Sequence, residues 1–203
     1  MFKRYISQSV IYNGGKNMSL TIHNYKLSIK IPCIELSILE KAFPGKKKVY
    51  RNYFVTSDNN YSFTFFKHCS QKNHSKNQHL NVTSIKKNDD IPDVINHLST
   101  RINIPKEHIT YKIDNVSATL QLEKPLDIEK FQFLNQDLKM QYNNEKFPGL
   151  FIKKKQQNNV HAKAATFILF TSGKINIVGA RSLEAVEESA RWVTERCAPM
   201  MIE

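Results

Sequence analysis

The residues best suited to metal chemistry lie close together, where His68, Cys69, His74 and His79 offer sulfur and imidazole donors at spacings a zinc ion could use. The pattern fits no zinc module, and a polar loop of this kind is ordinarily just solvated, so neither a metal nor another cofactor is expected. Enzymatic chemistry is poorly provided for. There is no phosphate loop ending in Gly-Lys-Ser/Thr, no dinucleotide fingerprint and no nucleophile elbow. Carboxylates such as Asp114 and Glu123 are scattered rather than paired. What the chain holds in excess is positive charge: 30 Lys and Arg against 18 Asp and Glu, a formal charge of +12 in 203 residues. Such an excess favours a polyanion, of which nucleic acid is the commonest, because neutralised phosphates release condensed counterions. A solvated basic surface is the alternative. An AT-rich coding genome would also raise Lys, Asn and Ile without any selection for nucleic acid.

The elements that must position these charges occur twice in the same order. The first half opens on LTIHNYKLSIKI, in which Tyr25, Leu27, Ile29 and Ile31 alternate with Asn24, Lys26, Ser28 and Lys30, the period of a strand with one buried face. A short helix, IELSILEKAF, follows, then three strands, VYRNYFVTS, YSFTFFK and HLNVTSIK. The half closes on a helix over DDIPDVINHLSTRI, with Asp90 placed to cap it and Pro92 in its first turn. The second half repeats the plan. ITYKIDNVSATLQL is a strand, LDIEKFQFLNQ a short helix, and FPGLFIKKK, KAATFILF and SGKINIVGA are strands. Its last helix, SLEAVEESARWVTERC, has Ser182 as N-cap and an apolar stripe of Leu183, Val186, Ala190, Val193 and Cys197. Two copies of one plan predict an internally duplicated α+β fold, a curved antiparallel sheet with helices on one face and the other face open. Three cysteines without a CxxC pair do not describe a disulfide framework and favour a reducing compartment. No apolar run reaches the roughly 18 to 20 residues that cross a bilayer, so no membrane partner is expected.

The second half carries a resemblance. FPGLFIKKK followed by ATFILFTSGKINIVGARS and an amphipathic helix, with KIDNVSATLQLEKPLDIEKF before them, resembles the second half of the TATA-box-binding protein core from about Tyr111 to Cys197. The first half is more degenerate. VYRNYFVTSDNNYSFTFF aligns with a family repeat from Val49 to Phe66, and LNVTSIKKNDD resembles its final strand. The resemblance implies a saddle of two pseudo-symmetric repeats with helices on the convex face: a basic N-terminal tail over residues 1–18, a degenerate first repeat over 19–105 and a second over 106–203.

It also implies a set of DNA contacts. Asn24, Ser28, Asn81, Thr83, Asn115, Ser117, Thr119, Ile168, Asn176 and Val178 would line the open face, where amides and small apolar groups suit the acceptor-only minor-groove edge of A·T pairs. Phe147 and Phe170 match the family's intercalating pair, and Phe66 matches one wedge of the first repeat, with Val49 standing where its partner would be. Lys86, Lys153, Lys174 and Arg181 fall at or beside positions that hold phosphates. Lys26 and Lys30 on the open face depart from the pattern.

The function implied is a general transcription initiation factor, not an enzyme, that binds AT-rich double-stranded promoter DNA in its minor groove and bends it. Its partners would be a transcription factor IIB-like protein and the RNA polymerase machinery, although the acidic segment before Phe147 retains only Glu145. The expected location is the nucleus, or a cytoplasmic viral factory or virion if the source is a large DNA virus. The alternatives are an interaction module of the transcription machinery that keeps the fold without sequence-specific DNA binding, and a docking domain serving a nuclease or repair enzyme.

Overall fold

A computed structural model describes residues 7–12, 16–72, 75–153 and 165–202. Eleven strands and four helices follow one another along the described chain. The first repeat runs β2 (Lys16–Pro32), α1 (Leu36–Ala42), β3 (Lys47–Val49), β4 (Tyr53–Asp58), β5 (Tyr61–Lys72), β6 (Ser75–Ile85) and α2 (Ile91–Ile102). The second runs β7 (Thr110–Gln121), α3 (Ile128–Leu134), β8 (Lys139–Asn143), β9 (Phe147–Lys153), β10 (Thr166–Leu169), β11 (Lys174–Ala180) and α4 (Leu183–Cys197). Within the basic N-terminal stretch, β1 (Ser7–Tyr12) pairs antiparallel with the start of β2.

Two compact units divide the chain within its strands, one comprising Asn24–Asp114 and the other Met1–His23 with Asn115–Glu203. In the unit Asn24–Asp114 the strand order is β3-β4-β5-β6-β2, and in the other it is β8-β9-β10-β11-β7. These are the same order element for element. Within each unit these pairings are antiparallel, so alternate residues share a face and register fixes which side chains meet the core.

In the unit Asn24–Asp114, Tyr25, Leu27, Phe63, Phe65, Leu80 and Val82 are buried and receive α1 and α2. Phe43, at the end of α1, lies 5.0 Å from the rings of both Phe63 and Phe65, and Phe54 stacks on Phe65 at 4.9 Å, an aromatic core with little room for repacking. Asp58 of β4 bonds both His97 and Arg101 of α2, at 3.0 and 2.8 Å, and pins the helix to the sheet. In the other unit Val116, Ala118, Leu120, Phe167, Leu169, Ile175 and Ile177 are buried against α3 and α4, with Trp192 of α4 packed 5.2 Å from Phe167.

Some local expectations change. VYRNYFVTS is two strands with a turn at residues 50–52, because a short edge strand, β3, folds back onto β4; β8 is the equivalent edge strand in the second repeat. Asp90 does not cap α2. Its carboxylate instead accepts from the Lys87 N–H at 3.1 Å across a single 3-10 turn, while Pro92 lies at the helix start. Asp127 caps α3 by accepting from the Lys130 N–H at 2.9 Å, and Ser182 caps α4 by accepting from Ala185 at 3.1 Å. The cysteine count pointed away from disulfides, yet Cys33 is disulfide-bonded. Cys197 is free and buried, and burial pushes its thiol up to about 12. The His74 position lies outside the described residues, as do the side chains of His68 and Cys69; among the described residues no His, Cys, Asp and Glu group could hold a metal ion.

Candidate nucleic-acid interface

Register alone identifies equivalent positions in the two repeats. Phe65 faces Leu80 as Leu169 faces Ile175, and Ser28 faces Asn81 as Thr119 faces Asn176. Phe66 therefore matches Phe170, Asn81 matches Asn176, Thr83 matches Val178, Lys86 matches Arg181 and Asn24 matches Asn115. In each repeat the strand positions alternate between buried and half-buried: Asn24, Ser28, Thr64, Phe66, Asn81 and Thr83 in one, Asn115, Ser117, Thr119, Ile168, Phe170, Asn176 and Val178 in the other. Within each unit the strip lies on the sheet face opposite the buried residues and carries that repeat's expected contact residues.

Both repeats break register at the same place. Between Leu27 and Tyr25 the pairing with β6 shifts by one residue, and between Ile177 and Ala180 the pairing of β11 with β7 does likewise. The bulges carry Ser84 at φ 71° and Gly179 at φ 96°. A strand asparagine serves each: the Ser84 N–H donates to Asn24 Oδ1 at 2.7 Å, and the Gly179 N–H donates to Asn115 Oδ1 at 2.5 Å. With its carbonyl committed inward, each amide turns its donor end away from the bulge.

A second duplicated device lies beside it. Ser28 Oγ is 3.2 Å from Asn81 Oδ1, and Thr119 Oγ1 is 3.0 Å from Asn176 Oδ1. Each hydroxyl also meets the residue that precedes a strand asparagine, Ser28 bonding the Asp114 carboxylate and Thr119 lying 2.6 Å from His23 Nε2. Burial alone would raise the Asp114 carboxyl, but the Ser28 hydroxyl and the Lys112 ammonium, 3.1 Å away, outweigh it and hold it below the usual carboxylate range.

The proposed wedges differ between repeats. Phe147 is 39% exposed, enough for its ring to reach a ligand, and it packs edge-on to Phe170 at 5.9 Å and against Phe151 at 5.2 Å. Both rings crowd over Gly149: a Cβ there would stand 2.5 Å from Phe147, 2.7 Å from Ile168 and 3.1 Å from Phe170. In the first repeat Tyr53 pairs with Phe66 and so occupies the position of that glycine. Val49 pairs with Phe54 in edge strand β3 and is not the counterpart of Phe147; register gives that place to Arg51. Tyr50 instead stacks on Tyr53 at 4.5 Å, and Tyr53 lies 6.1 Å from Phe66, so this end of the first repeat is aromatic but built from tyrosines.

Lys86, Lys153, Lys174 and Arg181 are exposed. Sequence reasoning missed His23, Gly149, Tyr53 and the part played by Asp114. Laying one repeat on the other would have found two of them, since His23 and Asp114 stand immediately before the paired asparagines.

Residues 110–199 match the family model described as "Transcription factor TFIID (or TATA-binding protein, TBP)". Among curated relatives, the chain is similar to the TATA-box-binding protein of Methanothrix thermoacetophila, 37% identical over 77 residues, and to that of Aeropyrum pernix, 35% identical over 80 residues. These alignments take in 38% and 39% of this chain and 38% and 34% of the relatives, so the chain spans little more than a third of their length. Among solved structures, Methanococcus jannaschii TBP aligns with a TM-score of 0.65 at 18% identity, covering 90% of this chain and 99% of that one. The family model is matched within the second repeat, whereas the likeness of fold covers 90% of the chain.

Proposed function

From the premise that this chain is a divergent member of the TATA-box-binding protein family, we propose that it is a transcription initiation factor whose open sheet face binds the minor groove of AT-rich promoter DNA and bends it. The observation that carries this reading is the Phe147–Phe170 pair, packed ring to ring over Gly149 at the border of a half-buried strip of amide, hydroxyl and aliphatic groups. Aromatic rings held at a sheet edge with one face accessible can enter an unstacked base step, and minor-groove wedging of this kind, for which TATA-binding proteins are the standing example, bends the duplex towards the major groove. Asn24 and Asn115, carbonyls held by the bulges, turn amide donors to the acceptor-only A·T edge. Lys153, Lys174, Arg181 and Lys86 would hold phosphates and fix register without reading bases.

Recruitment of a transcription factor IIB-like protein and an RNA polymerase is part of the same reading, through the helices and the segment before Phe147. A second reading, an interaction module that no longer selects promoter sequence, draws on the first repeat: a tyrosine fills the glycine position, and Lys26 and Lys30 alternate with core residues on the open strand. The two separate in one experiment. Labelled AT-rich and GC-rich duplexes are titrated with protein across a salt series while end-to-end energy transfer reports bending. The promoter reading expects AT-selective binding with a bend that Phe147→Ala/Phe170→Ala removes; unselective, straight complexes indifferent to those substitutions would refute it and favour the module.

A further inference from the structure

The two repeats share a hydroxyl–asparagine pair on the open face but give it opposite neighbours. Ser28 has one proton and two acceptors within reach, Asn81 Oδ1 at 3.2 Å and the Asp114 carboxylate. A carboxylate is the stronger acceptor and can only accept, so it takes that proton. Ser28 Oγ then presents lone pairs to Asn81. Two oxygens facing each other without a proton repel, and a half-turn of the Asn81 amide, whose two ends are nearly isosteric, replaces the repulsion with an N–H donated to Ser28. The carbonyl of Asn81 is left pointing outward.

Around Thr119 the neighbour is an imidazole, which can donate. With His23 Nε2–H donating to Thr119 at 2.6 Å, Thr119 keeps its own proton for Asn176 Oδ1 at 3.0 Å, and the Asn176 amide shows its donor end outward. The Ser28 hydroxyl and the Lys112 ammonium, 3.1 Å away, both favour the ionised form of Asp114, in which it can only accept.

The geometry points to Asn81 as a guanine-accepting position: the Asp114–Ser28 pair turns its carbonyl outward to receive the 2-amino group of a G·C pair in the minor groove, while Asn176 turns amide donors outward and is matched to A·T. The minor groove distinguishes base pairs mainly by that amino group, the only donor on its floor, so an outward carbonyl is the complement A·T pairs cannot satisfy. The inference rests on the minor-groove reading above and refines its sequence preference: the recognised site is not uniformly A·T, and one guanine is preferred where the first repeat docks.

Guanine and inosine differ in the minor groove only by the 2-amino group, which makes them the probe. A single G·C pair is moved stepwise through the AT-rich duplex, each position is compared with I·C, and binding is measured by fluorescence anisotropy with the full chain. Wild type should prefer guanine over inosine about fivefold, the worth of one net hydrogen bond, at one position or two adjacent ones. Asp114→Ala returns the Ser28 proton to Asn81 and should abolish or reverse that preference, and Ser28→Ala should abolish it by a separate route; Asn176→Ala should leave it intact. A wild type that favours inosine or neither at every position, or a guanine preference that survives both Asp114→Ala and Ser28→Ala, overturns the inference. Binding and bending of the all-A·T duplex are read in the same titrations. Their loss sinks the promoter reading together with this one, whereas their presence without a guanine advantage sinks this one alone.

Discussion

Replacing Gly149 by alanine tests the wedge at the point where it is held. The added methyl would stand 2.5 Å from Phe147 Cε1 and 2.7 Å from Ile168 Cγ2, closer than carbon atoms tolerate, and 3.1 Å from Phe170 Cε1, a tight contact. Phe147 is 39% exposed and its ring can swing towards solvent, so most of the overlap is relieved there rather than by moving backbone. The cost to folding should therefore sit at the low end for overpacking, about 1 kcal/mol, or roughly 2–4 °C in melting temperature for a chain of this size. The cost to bending should be larger in proportion, because the methyl displaces both rings from the arrangement that meets a base step. We expect Gly149→Ala to weaken binding to an AT-rich duplex about tenfold, equivalent to about 1.4 kcal/mol, and to shrink the bend seen by energy transfer. Calorimetry and the duplex titration read the two quantities separately. A variant that bends DNA like wild type would refute the claim that Gly149 sets the ring pair. A melting loss as large as that of a core Phe→Ala change, about 3–5 kcal/mol, would show the pair to be core rather than interface.

Removing the bulge acceptors by Asn115→Ala or Asn24→Ala should cost about 1 kcal/mol of folding stability each, from the orphaned Gly179 or Ser84 N–H, and should lower DNA affinity as well, measured by denaturant melts beside anisotropy. Alanine at Lys174 or Arg181 should reduce the slope of log affinity against log salt by about 1 without changing A·T preference, the mark of a phosphate contact. Asp114 has a folded-state pKa below its ordinary value, so its ionised form stabilises the fold above the ordinary carboxylate range, and that contribution is lost as pH falls through the lowered folded value. Melting temperature against pH should accordingly drop less steeply on the acid side in Asp114→Asn than in wild type. Asp58→Ala breaks the contacts to His97 and Arg101 and should cost about 1 kcal/mol, since the Arg101 side chain is 40% exposed and its charge is screened by solvent, with the difference shrinking at high salt.

The duplication and the buried face were legible because strand parity writes both into the residue types. Val116, Ala118 and Leu120 alternate with Ser117 and Thr119, and the burial follows that alternation residue by residue. The edge strands β3 and β8 were not legible. KKV is too short to show a period, KMQYN offers only Met140 and Tyr142, both just half-buried, and an edge strand forms through backbone pairing with one neighbour rather than through its side chains. Val49 was assigned to the wedge for the same reason: an ungapped alignment over VYRNYFVTS hides the turn at residues 50–52, and only the pairing of Val49 with Phe54 reveals it. Asp90 shows a different limit. Its type suits a cap, but its carboxylate accepts from the Lys87 N–H across the 3-10 turn ahead of α2 and makes no capping bond to the helix.

The site combines two kinds of information that a single sequence separates poorly. Which face a residue occupies is a local matter, set by period two, and so Asn24, Asn81, Asn115 and Asn176 could be placed on the open strip directly. Which end of an amide points outward depends on neighbours distant in the chain: Ser84 for Asn24, Gly179 for Asn115, Asp114 by way of Ser28 for Asn81, and His23 by way of Thr119 for Asn176. The bulge-held pair is the same in both repeats, and the hydroxyl-held pair differs only in that one repeat is served by a carboxylate and the other by an imidazole. A duplicated fold can thus keep its strands, bulges and burial intact while its two halves come to ask for different bases, because one residue in each half, His23 or Asp114, decides whether a hydroxyl gives its proton to an asparagine or withholds it.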